Sequence, residues 1–183
     1  MDVKINLKDT KLETQRLMLR PWDESDLSDF YEYASVEGVG KMAGWKHHDS
    51  IEVSKRILAS FISEQNVFAL VYKENQKVIG SLGVHYSWAN DVPKYHELKL
   101  KEIGYVLSKN YWGAGLMPEA VREVIRFCFE KYELDAVTIG HFSDNIQSRR
   151  VIEKCGFQFV RQIERYVKQL DKSLAEMQYI LYR

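Results

Sequence analysis

The stretch from Glu102 to Val121 constrains the fold more than any other part of the chain, because it predicts a strand, a short loop and a helix in direct succession. Apolar and smaller residues alternate from 103 to 108, which favours a strand. Pro118 is tolerated in the first turn of a helix, where its missing N–H would have no partner. From Ala120 onward the apolar residues recur with helical spacing. The sequence therefore predicts a strand that leads through a small-residue loop into a helix N-terminus.

That helix N-terminus is a candidate anion site. Its first N–H groups have no partner inside the helix, and they lie at the positive end of the helix dipole. The small residues Gly113, Ala114 and Gly115 would let a phosphate or diphosphate approach those groups closely. The same pattern also occurs in tight connections that only need positive φ, so both interpretations stay open. The spacing matches neither the three-glycine dinucleotide fingerprint nor a nucleotide loop ending in Gly-Lys-Ser/Thr.

Composition narrows the class of protein. A length of 183 residues predicts a single domain over residues 1–183. Acidic and basic side chains balance at 26 each, which argues against nucleic acid as a partner. Cys128 and Cys155 lie in apolar helical contexts without a CxxC partner, which favours free thiols in a reducing compartment. No segment resembles a signal peptide or a membrane span, so we expect a soluble cytoplasmic protein without a membrane partner.

Periodicity and turn residues predict the element order βααβββαβαββ. This order corresponds to an α/β (α+β) fold with a mixed, largely antiparallel seven-stranded sheet and four flanking helices. The strand before the central helix and the strand after it should pair in parallel, as in other strand–helix–strand units. The predicted strands are 14–20, 67–72, 77–88, 95–107, 136–140, 157–167 and 174–181; the predicted helices begin near 23, 49, 117 and 144.

Three motifs now occur in a recognisable order. They are the opening Thr14-Gln-Arg-Leu-Met-Leu-Arg-Pro21, the loop Asn110-Tyr-Trp-Gly-Ala-Gly115, and Asn145-Ile-Gln-Ser148 followed by a Gly-Phe at 156–157. The chain resembles the GNAT N-acetyltransferase superfamily over nearly its whole length. The opening motif is similar to the RimJ/RimL-type branch, which includes ribosomal-protein-alanine N-acetyltransferases. The resemblance implies a GNAT-like fold and acetyl-CoA as co-substrate, with no metal.

The resemblance also implies a set of cofactor-binding residues. The diphosphate of CoA would lie on the main-chain N–H groups of Trp112 to Met117, and pantetheine would run beside the preceding strand, with an N–H near Val106 or Leu107 facing the thioester. Asn145 would hydrogen-bond the cofactor; an ordinary helix start is the alternative explanation for it. Asn110 stands where the family usually has Gln or Arg, which weakens any role for its side chain. The implied cofactor-binding residues are Val106, Leu107, Asn110, Trp112, Gly113, Ala114, Gly115, Leu116, Met117 and Asn145.

Two residues are candidates for proton transfer. Acetyl transfer needs a neutral amine, and Glu102 is the candidate base that would remove its proton. By resemblance, Ser148 donates a proton to the departing sulfur. Two alternatives stay open for Glu102: a water chain could carry the proton, and a glutamate at a strand edge is usually only solvated.

Aromatic residues and histidines mark a possible acceptor side. Trp45, His85 and Tyr86 could form a rigid, partly apolar wall for an amine or a peptide end. Packing aromatics with solvated histidines explain them as well, and His47-His48 lacks the spacing of a metal site.

The resemblance favours a protein N-terminal α-amine as the acceptor. A small amine (polyamine, amino sugar or amino acid) and a non-catalytic CoA-binding module are the alternatives. Monomer and homodimer both remain open.

Overall fold

The computed structural model describes residues 1–183 and contains one eight-stranded sheet flanked by four α-helices. The strands are β1 (Leu12–Glu13), β2 (Leu17–Arg20), β3 (Val67–Tyr72), β4 (Val78–His85), β5 (Leu100–Leu107), β6 (Ala136–Phe142), β7 (Gln158–Val167) and β8 (Lys172–Tyr182). The helices are α1 (Leu27–Ala34), α2 (Ile51–Glu64), α3 (Leu116–Lys131) and α4 (Ile146–Lys154).

The mixed, largely antiparallel sheet and the four helices confirm the predicted fold. The structure has one strand more than predicted, β1, whose two residues pair antiparallel with β2. A two-residue strand is too short for an alternating pattern, so the sequence gives no signal for it. None of the four helices combines the length and apolar composition that a membrane crossing requires.

The strand order across the sheet is β1-β2-β3-β4-β5-β6-β8-β7. Only β5 and β6 pair in parallel, and α3 connects them, as the sequence predicts. Each face of the sheet carries its own hydrophobic core. On one face α3 packs through Val121 and Val124 against strand residues such as Leu70. On the other face α1 and α2 pack through Phe30 and Leu58. The two helical layers therefore cover opposite faces of the sheet.

The segment between β4 and β5 differs from the prediction. Strands were expected to run to 88 and to restart at 95, but β4 ends at His85 and β5 begins at Leu100. Two 3₁₀ turns, Trp88–Asp91 and Pro93–Tyr95, occupy the interval. The Ser87 side chain accepts the Ala89 N–H, and such local bonds compete with strand pairing.

Two helix starts also need correction. The helix that the sequence predicts to begin near residue 49 begins after Ser50, which makes no side-chain cap bond. Helix α4 begins after Asn145 and not after Asp144; the Asn145 side chain accepts the Ser148 N–H.

Candidate active site

A gap in the middle of the sheet forms the candidate site. The pairing of β5 with β6 ends at Ile103 and Ile139. Beyond that point β5 continues to pair with β4 through Leu107, while β6 continues to pair with β8. The two parallel strands therefore separate, and a cavity of about 360 Å³ opens between them.

The β5 edge of this gap presents unpaired main-chain donors. Ser108 donates its N–H to the carbonyl of Ile79 on β4. Successive N–H groups along a strand point to opposite sides. The N–H groups of Tyr105 and Leu107 consequently point to the opposite side, where β6 no longer pairs. Of the two residues expected to face a thioester, Leu107 directs its N–H into the gap, whereas the Val106 N–H belongs to the β4 ladder.

The loop between β5 and α3 adds a second group of free donors. The N–H of Trp112, which was expected to contact the diphosphate, donates to the Lys109 carbonyl at 3.2 Å, whereas the backbone N–H groups of residues 113–117 make no hydrogen bond within the protein. Gly113 and Gly115 adopt φ of +78° and +76°, a left-handed conformation that glycine adopts without strain. Gly115 also stands at the N-cap position of α3, where no side chain caps the helix. Five consecutive unpaired amides and the positive end of a helix dipole thus lie together in the segment that borders the cavity.

Most of the expected cofactor-binding residues border the cavity. Asn110 and Ala114 do not: Asn110 is exposed in a 3₁₀ turn, and the carbonyl of Ala114 is directed to Arg16. Those that line the cavity are Val106, Leu107, Trp112, Gly113, Gly115, Leu116, Met117 and Asn145.

Two cations on α4 also line the cavity, and no sequence motif marks them as site residues. Arg150 and Lys154 are one helical turn apart and exposed, and neither takes part in a salt bridge, in contrast to the neighbouring pair Arg149–Glu153. Both are therefore free to meet an anion at the cavity mouth.

Glu102 lines the cavity at the point where the strands begin to separate. Its Oε2 accepts the Trp88 N–H at 3.5 Å and the Thr138 hydroxyl at 3.3 Å. Desolvation, together with the like charge of Glu176, raises the pKa of Glu102 from 4.5 to about 7, although the bonds from Trp88 and Thr138 act in the opposite direction. A carboxyl group with this pKa can take up a proton near neutral pH.

The site contains a second carboxylate, which belongs to Glu176 and is buried. Glu176 on β8 is 5% exposed and lines the same cavity. It accepts bonds from Arg165 at 2.9 Å and from Gln178 at 3.0 Å. Only the register of β8 on β6 brings Glu176 to the gap, and no motif in the sequence marks it.

Ser148 lies on the opposite side of the cavity, in the first turn of α4. Its hydroxyl is buried and lies 2.8 Å from the Tyr105 hydroxyl. The sequence does not mark Tyr105 as a site residue, because its position resembles any core position of a strand. Desolvation raises the pKa of Tyr105, so its phenol stays protonated. Asn145 uses its amide to cap α4 and to donate to the Met42 carbonyl at 3.0 Å. The helix-start interpretation of Asn145 is thereby supported.

None of the three residues expected on the acceptor side lines the cavity. Trp45 packs against Gly40 and the His48 ring. His85 pairs with Glu102 across the strands and lies over Gly104 on the same face of the sheet. Tyr86 is exposed and donates to Asp91. The loop before Trp45 contributes Val39, Met42 and Ala43 to the cavity instead.

No group of three His, Cys, Asp or Glu side chains is arranged to hold a metal ion. The site combines the free main-chain donors of residues 113–117, the carboxylates of Glu102 and Glu176, and the hydroxyl pair of Tyr105 and Ser148.

The comparisons with known proteins agree on one family. The model of the acetyltransferase (GNAT) domain matches residues 16–158. The uncharacterized N-acetyltransferase YoaA of Bacillus subtilis (strain 168) is 25% identical over 163 residues, which cover 86% of this chain and 88% of YoaA.

Solved structures share the fold. The ribosomal-protein-S5-alanine acetyltransferase of Vibrio fischeri has a TM-score of 0.73 at 21% identity. The match covers 95% of this chain and 97% of the Vibrio fischeri chain. The microcin C7 self-immunity acetyltransferase MccE, solved in complex with acetyl-CoA and AMP, has a TM-score of 0.79 at 18% identity. The match covers 98% of this chain and 100% of the MccE chain.

Proposed function

The chain belongs to the GNAT acetyltransferase family and is an N-acetyltransferase, and we propose that it binds acetyl-CoA in the gap between β5 and β6 and transfers the acetyl group directly to a primary amine. The observation that carries the proposal is the run of five unpaired N–H groups at residues 113–117. Such a run at a helix N-terminus suits a diphosphate. Arg150 and Lys154 add positive charge beside it.

The free edge of β5 supports a binding mode for the rest of the substrate. Amides of a pantetheine chain can pair with an open strand edge in the way an added strand does. Leu107 directs its N–H into the gap and is proposed to donate to the thioester oxygen as negative charge develops there.

Two side chains are proposed to move protons. Glu102 takes a proton from the ammonium group of the acceptor, so that the amine nitrogen can attack the thioester carbon. The C–N bond forms and the C–S bond breaks, and Ser148 gives its proton to the departing thiolate. The nitrogen loses its second proton as the amide forms, and this proton can pass through the Tyr105 hydroxyl, 2.8 Å from Ser148, to replace the one that Ser148 gave. A water chain that delivers the proton to Glu102 is compatible with this scheme.

Direct transfer is favoured over an acetyl-cysteine route. Neither Cys128 nor Cys155 lines the cavity. Desolvation raises the pKa of Cys128 to about 12 and that of Cys155 to about 11, so both thiols stay protonated at neutral pH and are poor nucleophiles.

We propose a protein N-terminal α-amine as the acceptor. The opening motif from Thr14 to Pro21 resembles the RimJ/RimL-type branch, and the similar Vibrio fischeri protein carries a name that specifies the alanine of ribosomal protein S5. A small-molecule amine is the second candidate. Its support is the pair of carboxylates Glu102 and Glu176 at the acceptor end, because an acidic pocket suits a compact cation.

The test is an acceptor screen with acetyl-CoA. Peptides with different first residues are compared with polyamines, amino sugars and amino acids, and release of free thiol is followed together with the mass of the product. We expect N-terminally acetylated peptides. Preferred acetylation of a small amine would overturn the peptide assignment, and the absence of thiol release with every acceptor would overturn the proposed activity.

A further inference from the structure

The opening motif supplies an arginine that contacts the candidate diphosphate loop. Arg16 donates from one terminal guanidinium nitrogen to the Ala114 carbonyl at 2.8 Å. Its Nε and its other terminal nitrogen each lie 2.8 Å from Oε2 of Glu119. The Arg16 main-chain N–H donates to Oε1 of the same carboxylate, also at 2.8 Å. Arg16 thus connects β2 to both the loop and the first turn of α3.

The bond to Ala114 fixes the direction of one loop amide. In a trans peptide the carbonyl and the N–H point in opposite directions, so the orientation of the Ala114 carbonyl determines that of the Gly115 N–H. Because the carbonyl points to Arg16, the Gly115 N–H points away from it, on the side where Gly115 lines the cavity. The loop has glycine at 113 and 115, both with positive φ, and glycine resists rotation of a peptide plane least of all residues.

Arg16 also neutralises a charge that opposes phosphate binding. Glu119 lies in the first turn of α3, close to the five free amides, and its side chain is only 18% exposed. Desolvation acts to raise the pKa of Glu119, but the bonds from Thr14 and Arg16 outweigh it and keep the carboxyl group ionised. Without a counter-ion, this carboxylate would repel a diphosphate at the same helix end.

We propose that Arg16 is a positioning residue for the diphosphate of acetyl-CoA, which holds the Ala114–Gly115 peptide with its N–H toward the substrate and cancels the charge of Glu119. This inference rests on the proposed function. It gives the arginine of the opening motif a task in substrate binding without direct contact with the reacting atoms.

The test compares two thioesters in Arg16→Ala. Acetyl-CoA carries the diphosphate, whereas S-acetyl-N-acetylcysteamine retains the thioester and lacks it. We expect the KM for acetyl-CoA to rise about 10-fold or more, as the loss of charge-assisted hydrogen bonds predicts, with little change in kcat. The kcat/KM for the short thioester should stay near that of the wild type. Arg16→Lys keeps the charge but not the fork of donors, and we expect an intermediate KM.

Two further variants separate orientation from charge. Thr14→Val removes the hydroxyl that bonds Oε1 of Glu119 and the backbone of Leu17, and it changes neither partner of the Arg16–Ala114 bond. It is therefore the control for local disturbance and should change the KM for acetyl-CoA little. Arg16→Ala combined with Glu119→Gln removes the uncompensated charge. We expect it to recover part of the lost affinity, and the remaining defect measures the loss of peptide orientation.

Equal loss with both thioesters would overturn the inference, because it would indicate a general structural role. Calorimetric binding of CoA and of pantetheine provides a readout that needs no acceptor. Weaker CoA binding in Arg16→Ala with unchanged pantetheine binding supports the inference even if no acceptor is acetylated, whereas unchanged CoA binding overturns it. If wild-type protein bound neither compound, the proposed function would fail, and the inference with it.

Discussion

Glu102 obtains its acid–base properties from its surroundings. Desolvation is the largest influence on its pKa, and the carboxylate of Glu176 adds to it, while Arg165 opposes both. The result is a pKa of about 7, where a carboxyl group can release and take up protons at neutral pH. The buried hydroxyls of Ser87 and Thr138, 2.7 Å apart, continue this hydrogen-bonded network behind Glu102.

Replacing Glu102 by Gln tests this assignment. We expect kcat to fall about 100-fold or more, within the usual range for loss of a general base, with the KM for acetyl-CoA nearly unchanged. In wild-type enzyme kcat should rise with pH through about 7, as Glu102 loses its proton, and this limb should disappear in the variant. An unaltered pH–rate profile in Glu102→Gln would rule out the role.

Glu176→Gln is the matched variant for the pH profile. The like charge of Glu176 raises the pKa of Glu102, so its removal should lower that pKa and move the rising limb of kcat to lower pH. A limb that stays in place would mean that Glu176 does not influence the group that titrates.

Ser148→Ala tests the proton donor on the other side of the cavity. The variant loses the hydroxyl next to Tyr105, and kcat should fall about 10- to 100-fold, at the lower end of general acid effects. An acetyl thioester with a more acidic thiol should lose less, because its leaving group needs a proton less. Equal losses with both leaving groups would contradict the assignment.

At the scale of elements, the β5–loop–α3 unit presents the donors of the site through main-chain conformation alone. Three glycines of the chain share the same left-handed conformation with open space around them, and only Gly113 belongs to this loop; Gly38 and Gly156 lie elsewhere. They allow the effect of the conformation on binding to be separated from its effect on stability.

Gly113→Ala and Gly156→Ala form a matched pair. Both place a side chain at a φ near +80°, which costs about 1–2 kcal/mol for a non-glycine residue. We expect a similar loss of unfolding free energy in chemical denaturation. Only Gly113→Ala should also raise the KM for acetyl-CoA, because the change of φ reorients amides of residues 113–117. A comparable rise of KM in Gly156→Ala would remove the link to the loop.

Sequence reasoning succeeded where one element decides the outcome. The strand–loop–helix unit and the parallel pairing of β5 and β6 both follow from local patterns. It failed where short polar contacts compete with periodicity, as at Ser87, whose side chain caps a 3₁₀ turn in place of a continuing strand. It also failed for β1, which only its neighbour β2 defines.

In the candidate site, the sequence marks only those residues that lie next to a motif. Glu102 and Ser148 could be named because they adjoin motifs. Tyr105 and Glu176 could not, since the first depends on the orientation of α4 toward β5 and the second on the pairing of β8 with β6. A pattern along the chain carries no signal for side chains that meet only across a cavity.

At the scale of the whole molecule, the raised pKa of Glu102 makes stability depend on pH. The folded state holds a proton on Glu102 up to about pH 7, whereas the unfolded chain releases it near pH 4.5. This contribution to stability is therefore fully present below pH 4.5 and is lost as the pH rises through 7. A glutamine at position 102 does not titrate, so the Glu102→Gln variant does not show this loss of stability with rising pH.

Denaturation at two pH values measures this contribution. We expect Glu102→Gln to be more stable than wild-type protein by about 1–3 kcal/mol at pH 8, and the difference to shrink toward pH 4.5. Such a variant would be more stable and less active, a common trade-off at active sites. A difference that does not change with pH would contradict a raised pKa at this position.

The five free amides of the loop have a consequence for how this protein can diverge. Every amino acid except proline carries a peptide N–H, so side chains at most of these positions can be exchanged over evolutionary time without removing a donor. The one replacement that deletes a donor outright is proline. The chain places Pro118 immediately after the last of the five, where it can stiffen the first turn of α3 and remove none of them.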